Sequence, residues 1–257
     1  MRTHPLAMTA GFRDLLVITY AFPAAVLEPL VPSALTLDHH QGHGFLAIAL
    51  VDTAGLRPSA APPALGIDAS FIGYRIFIRA RLAAGRRRRG LYVLRTNVDR
   101  WVVLAGTRLL TRYRTAHARI RWQREGDRLE VRVRSPRGRS DLRLTADLGQ
   151  TPPQPPAGSP FSSWAQARPF AGPLPWTFAP EAGGEAAVTV KGTRDRWDPQ
   201  PLAIEHADVA LLDQPPFAAA TPKLAAAFHL HDLTYNWTAG KVEPLAAGGA
   251  HVTGALP

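Results

Sequence analysis

In "GFLAIALV", Gly44 to Val51, neither face of a strand would be polar, because Leu46, Ile48 and Leu50 alternate with Ala47, Ala49 and Val51. A half-solvated sheet shows apolar and polar residues in turn, so a strand apolar on both sides has to be covered on both sides. The next run, "SFIGYRIFIRARL", has the same period. Ile72, Tyr74, Ile76, Ile78 and Ala80 fall on one side, and Phe71, Gly73, Arg75, Phe77, Arg79 and Arg81 on the other.

The remaining chain is mostly strand-like. "RDLLVITYAF" ends at Pro23, which suits the first turn of a short helix in "PAAVLEPL", stopped by Pro29 and Pro32. "GLYVLRTNV" forms a further strand. "RWVVLAGTRLL" carries helical spacing, with Trp101, Leu104, Ala105 and Leu109 on one side. In the extended stretch after it, Tyr113, Thr115, His117 and Arg119 share a face. "LEVRVR" and "DLRLTADL" alternate cleanly, and their arginines read as the polar face of an antiparallel sheet. Gly149 to Pro160 is a Pro-rich crossing segment. Strands are expected again at "AAVTVKG", "IEHADVALL" and "AFHLHDLTYNW". No internal repeat is visible, so residues 1–257 read as a single domain whose halves meet at 149–160, with a frayed tail after Leu245.

The chain has a net charge of +10, and within it "AAGRRRRG" sets Arg86 to Arg89 between two strands. A Gly-bounded polar segment between strands reads as a hairpin loop, and its arginines as a solvated tip. The rival is a nucleic-acid handle, which a lone basic loop without a groove-reading helix or aromatic platform supports poorly. Of the 30 basic residues only Lys191, Lys223 and Lys241 are lysines. Zero cysteines exclude disulfides, thiolate metal sites and a cysteine nucleophile. Leu15 to Leu27 is interrupted by Tyr20 and Pro23 and is too short to span a bilayer as a helix. With no signal-peptide pattern at the start, a cytoplasmic protein without membrane association is expected.

No phosphate-binding glycine loop, zinc-protease helix or nucleophile elbow is present. "HHQGH", His39 to His43, is either an exposed turn or a weak metal site beside Asp38. His229 and His231 share a strand face, but no third ligand is identifiable, so no metal and no cofactor is expected. Arg75 is either an edge arginine reaching outward or a cation pointing into a cavity to meet a carboxylate. Asp52 lies either past its strand end or inside, as a buried acid needing a partner.

The run "LEPLVPSALTLDHHQGHGFLAIALVDTAGLRP", followed by "FIGYRIFIRA", "GLYVLRTNV", "AGTRLLTRYRTA" and a terminal "YNW", resembles the YqjF-like family of uncharacterised conserved bacterial proteins, whose fold is similar to that of acetoacetate decarboxylase. The resemblance covers roughly residues 12 to 238 and is strongest from Leu27 to Ala116. It implies a mainly β fold (β-rich α+β), with a curved antiparallel sheet or cone-like barrel enclosing a small-molecule cavity under a few short helices. In the founding enzyme a buried lysine of lowered pKa, shortly after a helix resembling "LAGTRLLTRYR", forms a Schiff base. Here Tyr113 to Ala116 contains Arg114 and no lysine, and arginine cannot form an imine in its place. The companion glutamates have no counterpart in "SFIGYRIFI".

The resemblance also carries Arg75, Arg108 and Tyr113 over as ligand-binding residues, with His117 added as a nearby acid or base. The leading expectation is a protein that binds a small, anionic organic molecule without Schiff-base chemistry. A second is a lysine-independent lyase or hydrolase on the same scaffold, with Tyr113 or His117 catalytic. A third is a nucleic-acid-associated protein using Arg86 to Arg89.

Overall fold

The computed structural model describes residues 3–83, 85–170 and 174–246. Three long strands, β1 (Met8–Pro23), β2 (His43–Pro58) and β3 (Ile67–Arg81), pair in sequence order, antiparallel. β4 (Arg87–Val98) follows β3, then α1 (Trp101–Leu110) and the short β5 (Thr115–His117), which returns parallel to β4. Next come β6 (Arg119–Glu125), β7 (Arg128–Arg134) and β8 (Leu142–Asp147), then β9 (Trp176–Pro180) and β10 (Ala186–Arg194). β11 (Ala203–Val209), β12 (Lys223–Trp237) and β13 (Lys241–Pro244) complete the chain.

The hydrogen bonding closes on itself. β12 pairs with β1, β4 with β9 in parallel, β9 with β10, and β10 meets β12 through Gly192↔Trp237, Thr193↔Asn236 and Arg194↔Tyr235. Seven strands, in the order β1-β2-β3-β4-β9-β10-β12, thus form a ring with no free edge between them. The large sheet is antiparallel except where β4 meets β5 and β9. A second, four-stranded antiparallel sheet, β11-β8-β7-β6, lies over the outside of the ring.

This arrangement accounts for strands without a polar face. Leu16, Ile18, Leu46, Ile48, Leu50, Ile72, Tyr74 and Ile76 form one buried cluster with Leu129, Val131, Leu142 and Leu144 of the second sheet. The opposite faces of the same strands, with Leu15, Val17, Ala47, Ala49, Val51 and Phe77, point into the ring. Phe161 and Phe170, which follow the Pro-rich segment, stack on Phe45 with centroids 5.0 and 4.4 Å away and fill one end of that interior. Each fully buried Leu or Ile contributes roughly 1.5–3 kcal/mol to this two-layer core.

One sequence expectation needs correction, and one lies out of reach. In α1 only Leu104 is buried, while Trp101 and Leu109 are 67% and 73% exposed. The helix sits at the rim of the ring, and Trp101 stacks on the His117 ring at 4.1 Å instead of entering a core. The four arginines are not all a solvated tip, because β4 already begins at Arg87. Arg88 pairs with buried Glu243 at 2.5 Å, and Arg89 pairs with Asp38, whose side chain is 1% exposed. Arg79 holds the other oxygen of Asp38 at 2.7 Å. These contacts tie the β3–β4 hairpin to the segment before β2 and to β13. The tail expected to fray lies, beyond residue 246, outside the described residues.

A buried acid that loses a partner is costly, so Arg88 and Arg89 should matter and Arg87 should not. Because Glu243 keeps Thr189 and Asp38 keeps Arg79, Arg88→Ser and Arg89→Ser should each destabilise by about 2–3 kcal/mol, just under the range for a fully broken buried pair. Arg87→Ser should leave the urea midpoint unchanged. Equal midpoints for all three variants would return the run to solvent.

Candidate functional site

Inside the ring, β3 presents Phe71, Gly73, Arg75 and Phe77 at every second position, and β2 faces them with Ala47 opposite Arg75 and Ala49 opposite Gly73. The small residues make room for the arginine. Its guanidinium lies back over Gly73, where a Cβ would stand 2.9 Å from Nε and 3.1 Å from Nη2. Nε is buried without a hydrogen-bond partner, and among the described residues no hydrogen bond or ion pair of the Arg75 side chain occurs. Burial lowers its pKa, and the groups that act on it in the opposite sense are the phenols of Tyr235 and Tyr113 rather than a carboxylate. It is a cation in a nearly dry interior with no acid beside it among the described residues, an arrangement that is costly unless something fills it.

What adjoins it is a cavity of about 40 Å³. Arg75, Thr177, Gly192, Tyr235 and Trp237 supply its polar or close-approach positions, and Phe12, Leu15, Val51 and Val190 its apolar walls. Leu174 and Trp237 are half-buried and Pro175 is exposed, so this wall faces solvent. Tyr113 reaches the site through Thr177, with 2.9 Å between the two side-chain oxygens. Burial pushes the Tyr113 hydroxyl up, against a smaller lowering by its bond to Thr177. Tyr235 is raised by burial in the same way. Both phenols therefore stay neutral through the physiological range and remain able to donate.

Behind Tyr113 sits His4, edge-on at 4.6 Å. Burial lowers its pKa to about 4, and its Nε2 has no partner. The residue is held there by backbone bonds from its own N–H to the Leu110 carbonyl and from the Gly240 N–H to its carbonyl, 2.9 and 2.7 Å. No pattern in the first seven residues points to that position.

Of the residues expected from sequence, Arg75 lines the cavity, and Tyr113 lies behind it, bonded to the lining residue Thr177. Arg108 and His117 are not among its lining residues. Arg108 is exposed on α1 and donates from Nε to the Thr115 carbonyl at 3.2 Å, while the His117 Nε2 lies 3.1 Å from the Asp99 carbonyl. Asp52 lies within β2 and accepts from Ser70 Oγ and Arg13 at 3.1 and 3.2 Å. His229 is engaged by Asp14 at 2.8 Å and His231 by Asp232 at 3.0 Å. Among the described residues no group of three or more His, Asp or Glu is arranged to hold a metal ion. Lys191, Lys223 and Lys241 are all exposed, and none lines the cavity. Sequence reasoning missed Thr177, Gly192, Tyr235 and Trp237. The "YNW" run held a signal, since Tyr235 and Trp237 are two apart on one strand and so share a face.

The chain is similar in fold to several solved structures. An acetoacetate decarboxylase-like enzyme from Sphingomonas wittichii RW1 aligns with a TM-score of 0.56 at 16% identity, over 95% of this chain and 94% of that one. Acetoacetate decarboxylase from Legionella pneumophila aligns with a TM-score of 0.58 at 13% identity, over 92% and 86%. The enduracididine biosynthesis enzyme MppR, complexed with pyruvate, gives 0.52 at 13%, over 95% and 88%. At such identities the likeness establishes the acetoacetate decarboxylase-like fold and nothing finer. No helix is long and apolar enough to cross a membrane among the described residues. A search of curated proteins returns no match. The sequence from residue 9 to 232 matches DUF2071, a family of uncharacterized conserved proteins, and the chain belongs to that family.

Proposed function

We propose that this protein binds a small carboxylic acid inside the barrel, held by Arg75, and performs no lysine-imine chemistry. The observation that carries the reading is the buried guanidinium, which has a cavity on one side and, among the described residues, no acid to neutralise it. A carboxylate fits the planar fork with two parallel charge-assisted hydrogen bonds. Thr177 supplies a neutral hydroxyl beside it, backed by that of Tyr113. The cavity holds little more than a water-sized volume, so a ligand of several atoms has to displace the solvent-facing wall of Leu174, Pro175 and Trp237. Binding is thus coupled to movement of that wall.

The absence of imine chemistry rests on the three lysines, which are solvent-exposed. Imine formation at neutral pH needs an amine whose pKa is lowered by burial or by a neighbouring cation. A lysine-independent enzyme on the same scaffold is the second reading, favoured by the neutral Tyr113 hydroxyl bonded to Thr177 of the cavity wall; turnover of a bound acid separates it from simple binding. The nucleic-acid reading loses its support, because three of the four arginines behind it are engaged by buried acids.

Pyruvate, the molecule in the MppR complex, is a practical probe. By calorimetric titration Arg75→Lys should bind it at least about tenfold more weakly, since lysine keeps the charge and loses the fork. Arg75→Met should show no binding, and in ligand-free protein its melting temperature should rise, because an unpaired buried charge has been removed. Unchanged affinity in both variants would take Arg75 out of the site. Treatment with pyruvate or acetoacetate and then borohydride should give no mass increase; a stoichiometric adduct on Lys191, Lys223 or Lys241 would restore lysine chemistry.

A further inference from the structure

The exposed Trp101 and Leu109 of α1 do not stand alone. Met8 of β1 pairs with Pro58 of β2, Leu56 with Ile67 of β3, and Phe71 with Val98 of β4, so these four strands finish together at one end of the ring. Leu6 just precedes β1, Leu65 lies in the β2–β3 connection and α1 follows β4, which brings all three to that end. The His4 N–H bond to the Leu110 carbonyl and the bond from Arg100 Nε to the Asp68 carbonyl, 2.9 Å each, tie them together. On α1, Trp101, Ala105 and Leu109 recur every fourth position as one exposed stripe with Val102 beside it. Among the described residues, Leu6, Leu65, Trp101, Val102 and Leu109 are five of the six large apolar side chains left in water.

The charge around this stripe has one sign. From Arg100 to Arg124 the chain carries seven arginines and no acidic residue. Among the described residues only Arg112 of the seven forms an ion pair, with Glu181, and the other six are exposed. The acids nearest the rim are occupied: Asp68 by Arg13 and the Gly55 N–H, Asp99 by the Ser70 N–H. We propose that α1 and its flanks form a docking surface for an anionic lipid bilayer, a role independent of the carboxylate reading above. Trp101, Val102 and Leu109 enter the boundary between headgroups and acyl chains, while Arg100, Arg108 and Arg119 meet lipid phosphates. Two copies meeting through this rim would set arginines against arginines, which is costly. A nucleic acid would use the arginines and leave Val102 and Leu109 without a counterpart. The expectation of no membrane association came from the lack of a spanning run, which a helix lying on a surface does not need.

Co-sedimentation of the intact protein with vesicles is the test. It should sediment with phosphatidylcholine vesicles containing one third phosphatidylglycerol and stay in solution with phosphatidylcholine alone. Arg119→Ser should weaken binding about fivefold, the worth of one arginine at an anionic surface. Arg87→Ser, an equal loss of charge at the opposite end of the ring, should leave it unchanged. Trp101→Ser and Leu109→Ser should each weaken it about tenfold or more, the worth of one large apolar side chain taken out of water. Leu109→Ser touches no stacking partner, and its melting temperature should match that of the wild type. No sedimentation with the anionic vesicles overturns the proposal, as does binding that Trp101→Ser and Leu109→Ser both leave unchanged. A dimer by light scattering that Leu109→Ser splits would assign the face to a second copy. Retention by a DNA duplex without vesicle binding would assign it to nucleic acid. Either result overturns the membrane assignment.

Discussion

Two-sided burial of β1, β2 and β3 is the constraint on which the other elements depend. These strands carry apolar residues at nearly every position, so each face needs its own cover. The second sheet covers one face. Closure of the ring through β9, β10 and β12 turns the other face into an interior, which removes the sheet edges at the same time. The helices contribute little to either layer; α1 buries one residue and rests at the rim.

A closed ring has to be filled, and its filling differs from one end to the other. Phe45, Phe77, Phe161 and Phe170 pack one end at contact distance. Beyond them Ala47, Ala49 and Gly73 are small, and the space they leave is taken by the Arg75 guanidinium and the cavity beside it. An apolar side chain at position 75 would complete the core, and the arginine therefore stands at a cost in stability. Such a local conflict with packing is expected where function is located.

The same chemistry appears elsewhere with its partners in place. Asp38 and Glu243 are buried acids, each held by arginines from the β3–β4 hairpin. They pin the hairpin against distant segments and hold no accessible charge. Arg75 differs from them: all are buried, and among the described residues only Arg75 lacks a counter-charge.

Alternation within single segments is a local property, so the strands, their two apolar faces and the side of β3 that carries Arg75 were legible in the sequence. So was the family pattern. Adjacency between segments distant in sequence was not legible, because no local pattern encodes which side chains meet across a closed ring. Tyr113 meets Thr177, Tyr235 sits against Gly192, and Asp38 and Glu243 capture Arg89 and Arg88. For the same reason four consecutive arginines looked like a solvated loop. The sequence by itself determined a β chain with an arginine on an apolar strand face; tertiary closure alone decided that this arginine faces a cavity without a partner, since only the strands arriving from the second half of the chain decide whether an acid stands opposite it.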